Sequence, residues 1–189
     1  MATKTRYSRI AQALHWGTAI LVLIAFLQGA GGPESRVYSA ERADQLRLHE
    51  SLGLAVLLIV AFRLVWRFVD PAPEEPPMPV WMSRAAAAGH GLLYLLLFAV
   101  PLTAIIGAWA EGHALSTYLG AIDSWFGPNG SPGGSPGGSP AHDFGAWITS
   151  LHTWLGDAIM WLAGFHAAAA LAHHFVLKDR VLDSMLPWK

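Results

Sequence analysis

The chain has 189 residues, 53% of them hydrophobic and only 13% charged, with nine tryptophans and no cysteine. Twelve basic residues against thirteen acidic ones leave a net charge of -1 with histidine neutral, and no zinc-finger or helix-turn-helix pattern adds a local basic surface, so nucleic acid is excluded as a partner. The lack of cysteine excludes disulfides, thiolate-bound haem, iron–sulfur clusters and covalent haem attachment, so any metal must rest mainly on histidine.

Crossing roughly 30 Å of hydrocarbon takes about 20 mostly apolar residues. The opening stretch, MATKTRYSRIAQALHWGTAILVLIAFLQGAGG, has a basic head like a secretory signal. Its apolar run is long, is interrupted by His15 and lacks a small-x-small cleavage site, so it reads as a retained first span over about 10–30. The next segment, GGPESRVYSAERADQLRLHE, is polar, and its second half has a helix-forming composition that can extend the second span, about 47–68, outward. Five prolines in DPAPEEPPMPVW forbid a regular helix and separate the second span from the third, about 84–109. A repeated Gly-Ser-Pro-Gly unit then marks a flexible loop over about 127–145, read as a spacer with no chemistry attached, before the fourth span at about 146–175.

Four spans in one domain, 1–189, make an all-α transmembrane four-helix bundle, with the lipid bilayer as its first partner. Lys4, Arg6, Arg9, Arg63, Arg67, Arg84, Lys178, Arg180 and Lys189 fall on one side of it, against Arg36, Arg42 and Arg47 on the other. The positive-inside rule therefore predicts both termini in the cytoplasm, with loops 31–46 and 110–145 facing outward.

Polar side chains within a membrane are costly and are kept where they pair, line a cavity or bind something. At about 1.5 Å per residue, His49 and His152 fall near the outer boundary, while His15 and His166 fall toward the inner one. His152 and His166 are two heptads apart, so a left-handed bundle points both into one seam, roughly 21 Å apart along the helix. Two facing histidines at each level, with neither cysteine nor carboxylate beside them, suit bis-histidine ligation of two b-type haems better than zinc, which asks for three or four ligands. Gly17, Gly53, Gly156 and the run Ala167 to Ala170 lie close to these histidines and leave room for a flat macrocycle; close helix packing is the competing use of such residues.

The other histidines carry blander expectations. His90 shares the inner level as a hydrogen-bonded neighbour or propionate contact, or as a replacement ligand. His173 follows His166 by seven residues and is either an interfacial side chain or a hydrogen-bond partner for a quinone oxygen. His174 reads as interfacial, and His113 and His142 read as solvated loop residues.

The segments RYSRIAQALHW, LHESLGLAVLLIVAFRLVWR, HGLLYLLLFAVPLTAIIG and LHTWLGDAIMWLAGFHAAAALAHHFVLKD resemble the bacterial cytochrome b561 family. This resemblance covers all four spans, and only the Gly-Ser-Pro loop stands apart from it. It implies a multi-pass protein of the bacterial inner membrane carrying two b haems, with the ligand positions falling on His15, His49, His152 and His166. It also implies an oxidoreductase that takes electrons from periplasmic superoxide and reduces ubiquinone.

On that basis Arg36, Arg42 and Arg47 are the candidates for steering superoxide, although Glu34, Glu41 and Asp44 in the same loop offset them. Ser8, His173 and Lys178 are the candidates for a quinone site beside the inner haem, and Arg9, Arg63, Arg67 and Arg84 for propionate contacts. The alternatives are an electron-relay subunit serving a redox partner protein, a non-enzymatic haem-binding membrane protein, and a transporter using its histidines as a proton relay.

Overall fold

The computed structural model describes residues 4–29, 40–74, 76–111, 115–122 and 140–187. Four long helices dominate them: α1 (Arg9–Gly29), α2 (Ala40–Val69), α3 (Val80–Glu111) and α4 (Pro140–Ala172). All four are long and apolar enough to cross a membrane. Ser8 caps α1, its Oγ accepting the Ala11 N–H at 3.2 Å. The helix-forming composition ahead of residue 47 carries α2 back to Ala40, and its other end stops before Asp70–Pro71, where proline disfavours a helical residue in front of it.

Two regions depart from the sequence expectation. Helix α4 begins at Pro140, inside the stretch read as loop, because proline suits the first helical position and Asp143 in the first turn complements the helix dipole. Residues 127–139 of that stretch, which hold the Gly-Ser-Pro repeat, lie outside the described residues. The segment after α3 also holds a small antiparallel hairpin, β1 (Leu115–Thr117) and β2 (Gly120–Ile122), so the bundle carries two short strands. Thr117 pairs with Gly120, whose φ of 124° a side-chain-bearing residue rarely adopts.

Helix α1 packs along α2 and α3 along α4, while α2 meets α3 between the two pairs. The buried core joins Val56 and Val60 of α2, Leu96 and Leu97 of α3 and Ile159 of α4. Elsewhere the large side chains point outward: Phe68 is 82% exposed, Trp161 73% and Leu58 63%. An apolar outer surface on this scale belongs in lipid.

One end of the bundle is stitched by the N-terminal segment. Lys4 Nζ donates to the Asp70 carboxylate and, at 2.7 Å, to the Pro71 carbonyl, while Ser8 Oγ donates to Asp70 Oδ2 at 2.6 Å. The same segment reaches the chain's last helix, α5 (Val181–Met185), through Tyr7 N–H to Ser184 O at 3.2 Å. Gln12 donates to Ser184 O at 3.1 Å and Trp16 to Met185 O at 3.0 Å. Between α4 and α5 the chain makes a π-helical turn (His173–Leu177), stopped by Lys178 in the left-handed conformation at φ 56°.

Candidate functional site

Heptad spacing organises the interior. Along α4, His152, Ile159 and His166 follow one another at seven-residue intervals, and along α2 so do His49, Val56 and Arg63. Val56 and Ile159 belong to the buried aliphatic core, so the polar residues of each series stand on either side of a greasy middle layer. At one end the rings of His49 and His152 meet with centroids 5.9 Å apart, nearly perpendicular at 88°. At the other, His15 and His166 stand 6.2 Å apart at 65°. His90 joins this second level, 5.3 Å from His166.

Two imidazoles holding one metal from opposite sides, each with a metal–nitrogen bond of about 2 Å, place their ring centroids roughly 6 Å apart. Both pairs meet that requirement. Among the described residues no group of three or more His, Asp or Glu side chains is arranged to hold a metal ion by itself; His49 and His152 stand as a pair, and at the other level His90 is a third imidazole beside His15 and His166, so a macrocycle would have to supply the remaining ligands.

Hydrogen bonds orient the His49/His152 pair. His49 Nδ1 lies 2.7 Å from the Ala25 carbonyl of α1, and His152 Nδ1 lies 2.8 Å from the Val100 carbonyl of α3. A carbonyl only accepts, so each Nδ1 carries the hydrogen and each Nε2 keeps a lone pair for a metal. The Val100 carbonyl, just before Pro101 inside α3, also accepts from Thr103 Oγ1 at 2.8 Å. His49 lies hard against Gly29: a Cβ there would sit 2.7 Å from its Cε1 and 2.8 Å from its Nδ1. Gly29, Ala25 and Pro101 are parts of the site that sequence reasoning missed; the proline inside the third span was the available signal.

The His15/His166 pair is dressed differently. Arg63 Nη2 lies 3.1 Å from His15 Nδ1, and its guanidinium sits over the Tyr94 ring at 5.5 Å from the centroid. Guanidinium only donates, so His15 Nδ1 is the acceptor here, and Arg63 must release it before His15 can offer its Nε2 lone pair to a metal.

The glycines separate packing from space. An added Cβ at Gly107 would sit 2.7 Å from Thr149 Oγ1, and one at Gly145 2.6 Å from Glu111 Cγ, so these two let α3 and α4 approach closely. At Gly53 and Gly156, one turn after His49 and His152, it would meet no atom within 4 Å, and at Gly17 only Ile59 Cδ1 at 3.9 Å. Open space beside the paired imidazoles, lined by residues without side chains, fits a flat ring system.

The remaining predicted residues scatter. Ser8 is committed to the α1 cap and to Asp70. His173 Nδ1 bonds Asp179 Oδ2 at 2.5 Å, and exposed Lys178 gives its backbone N–H to the His173 carbonyl. The three lie toward the same stitched end but share no side-chain partner. Arg47 is half-exposed, 3.9 Å from Asp44 and over the Tyr118 ring at 5.9 Å. Arg36 lies outside the described residues, as do His113 and the side chain of Arg42. His142 approaches Asp143 at 3.9 Å and His174 approaches Asp183 at 3.5 Å.

Known proteins share this chain over nearly its full length. Residues 6–188 match the family model for prokaryotic cytochrome b561. The chain is 34% identical to cytochrome b561 homolog 2 of Escherichia coli K12 over 185 residues, covering 97% of this chain and 93% of that one. It is 32% identical to cytochrome b562 of Cereibacter sphaeroides, over 98% of both chains. It is 30% identical to the probable superoxide oxidase CybB of Yersinia pestis, over 97% of both. With paired histidines inside four apolar helices and a match from end to end, the chain belongs to the prokaryotic cytochrome b561 family of membrane-bound haem electron-transport proteins.

Proposed function

We propose that the protein holds two b haems, one between His49 and His152 and one between His15 and His166, and acts as a superoxide:ubiquinone oxidoreductase of the bacterial inner membrane. The observation that carries this is the pair of facing imidazoles at each level, 5.9 and 6.2 Å between centroids, separated by the Val56/Ile159 layer. Bound haem supplies reversible one-electron chemistry, which amino-acid side chains at these positions do not.

The residues supply orientation and environment. The Ala25 and Val100 carbonyls fix the His49 and His152 tautomers. The aliphatic middle layer keeps water out between the levels. Arg63, freed from His15, would be available to pair with a propionate at the inner level. With the termini in the cytoplasm, the His49/His152 end faces the periplasm, where two superoxide ions each give up one electron and leave as dioxygen. At the His15/His166 end a ubiquinone takes two electrons and two protons; we assign the hydrogen bond to its head group to His173, whose Nδ1 is held by Asp179. Arg47, together with Arg36 and Arg42, attracts the anionic donor.

A second reading is favoured by the relatives at 34% and 32% identity, whose names describe cytochromes without an oxidase activity: a relay passing electrons between the quinone pool and a partner protein. One experiment separates the two. The purified protein is mixed with superoxide, with and without ubiquinone, while the haem bands are followed. Fast reduction by superoxide with quinone-dependent reoxidation supports the oxidase, and reduction only through an added protein supports the relay.

A further inference from the structure

The hairpin after α3 docks on the turn of α2 that carries His49. Glu50 Oε2 accepts the Ser116 N–H at 2.6 Å, and Ser51 Oγ accepts the Tyr118 N–H at 3.0 Å while donating to the Arg47 carbonyl at 2.7 Å. Arg47 adds its guanidinium over the Tyr118 ring at 5.9 Å. Residues 47, 50 and 51 share one face of α2, whereas His49 points to α1 and His152.

A hairpin with three-residue strands is not stable alone and needs a surface to hold it. Its own turn is reinforced by Thr117 Oγ1 donating to Gly120 O at 2.7 Å and accepting the Leu119 N–H at 3.3 Å. The bond to α2 with an ionisable acceptor is the one at Glu50, a half-buried carboxylate spent on a backbone amide.

We propose that Glu50 is a positioning residue: it pins the Leu115–Ile122 hairpin as a cap beside His49 and so sets how closely a water-soluble electron donor approaches the His49/His152 end. This rests on the two-haem proposal for the consequence at the haem, while the docking stands on the contacts above. Removing Glu50's acceptor oxygens frees the hairpin; keeping one acceptor oxygen keeps it seated. Because the hairpin docks at the Arg47–Ser51 turn, the His15/His166 level is expected to be untouched by either change.

The test uses the haem-loaded protein in lipid nanodiscs. Amide exchange is followed at Ser116 and Tyr118, and the one-electron oxidation of the reduced protein by ferricyanide is timed. Glu50→Ala is expected to speed exchange at both amides by about tenfold, the loss of the side-chain acceptor that holds the hairpin, and to speed oxidation several-fold. Glu50→Gln, which retains an amide oxygen, is expected to stay near wild type in both. Ser116→Pro removes the donor without touching α2 and is expected to match Glu50→Ala in Tyr118 exchange and in oxidation rate, position 116 then having no amide hydrogen to follow.

Wild-type exchange and oxidation in both Glu50→Ala and Ser116→Pro overturn the proposal. So does a Glu50→Ala protein that loses haem while its hairpin amides stay protected, since Glu50 then serves the His49 turn rather than the hairpin. A wild-type protein without haem overturns the two-haem proposal instead, and the exchange measurements still decide whether Glu50 holds the hairpin.

Discussion

Gly29→Ala is a small change with a sharp expected effect. The new Cβ would sit 2.7 Å from His49 Cε1, so the ring must retreat by about 0.8 Å to reach an ordinary carbon–carbon contact of roughly 3.5 Å. Retreat from α1 lengthens the 2.7 Å bond between His49 Nδ1 and the Ala25 carbonyl past the roughly 3.2 Å at which such bonds stop counting. Overpacking of this kind costs about 1–3 kcal/mol, and losing the partner that orients a ligating histidine typically weakens metal binding 10–100-fold. Haem content by pyridine haemochrome, with electron paramagnetic resonance of the ferric protein, is expected to show selective loss or alteration of the His49/His152 haem with the other intact. An unchanged spectrum and full haem content in Gly29→Ala would refute the placement of His49 against α1.

Three further outcomes follow from the same geometry. Ile159→Ala, in the middle layer at 5% exposure, is expected to cost about 2–5 kcal/mol and lower the thermal midpoint while both haems stay bound; loss of one haem instead would mean the layer is part of a site. Arg63→Ala removes the cation beside His15 and is expected to lower the midpoint potential of the inner haem and leave the outer one in place, as read by spectroelectrochemical titration; equal shifts in both would contradict the assignment of levels. Lys4, with Ser8, holds the Asp70 carboxyl below the ordinary value of 3.8, so its contribution to seating the N-terminal segment is full above that value and is lost as pH falls through the lowered one. Proteolysis or amide exchange of residues 4–8 across the acid range is expected to show release in the wild type and a flat profile in Asp70→Asn, and an equally flat wild type would contradict it.

The spans and the two histidine levels were legible because they depend on quantities a sequence carries: apolar run length and the heptad spacing that links His152 with His166. What was not legible depends on how neighbouring helices are rotated against one another. Ala25 and Val100 are ordinary apolar residues whose carbonyls matter only because α1 and α3 present them to an imidazole, and Gly29 matters only because the His49 ring arrives there. The docked hairpin escaped notice because its strands are three residues long and take their support from Glu50 and Ser51 on another element. Ser8 has a local use that the sequence alone does not show: its hydroxyl serves the α1 cap and Asp70, as serine at a helix start commonly does.

The central claim is that two separate histidine pairs each grip one haem. Its most direct test is the haem-to-protein ratio of the purified wild type, taken together with the spin state of the ferric iron. Two haems per chain, both low-spin as expected of two axial imidazoles, is the result the account requires. A single haem per chain, or a high-spin ferric signal from an iron lacking its second imidazole, would contradict it.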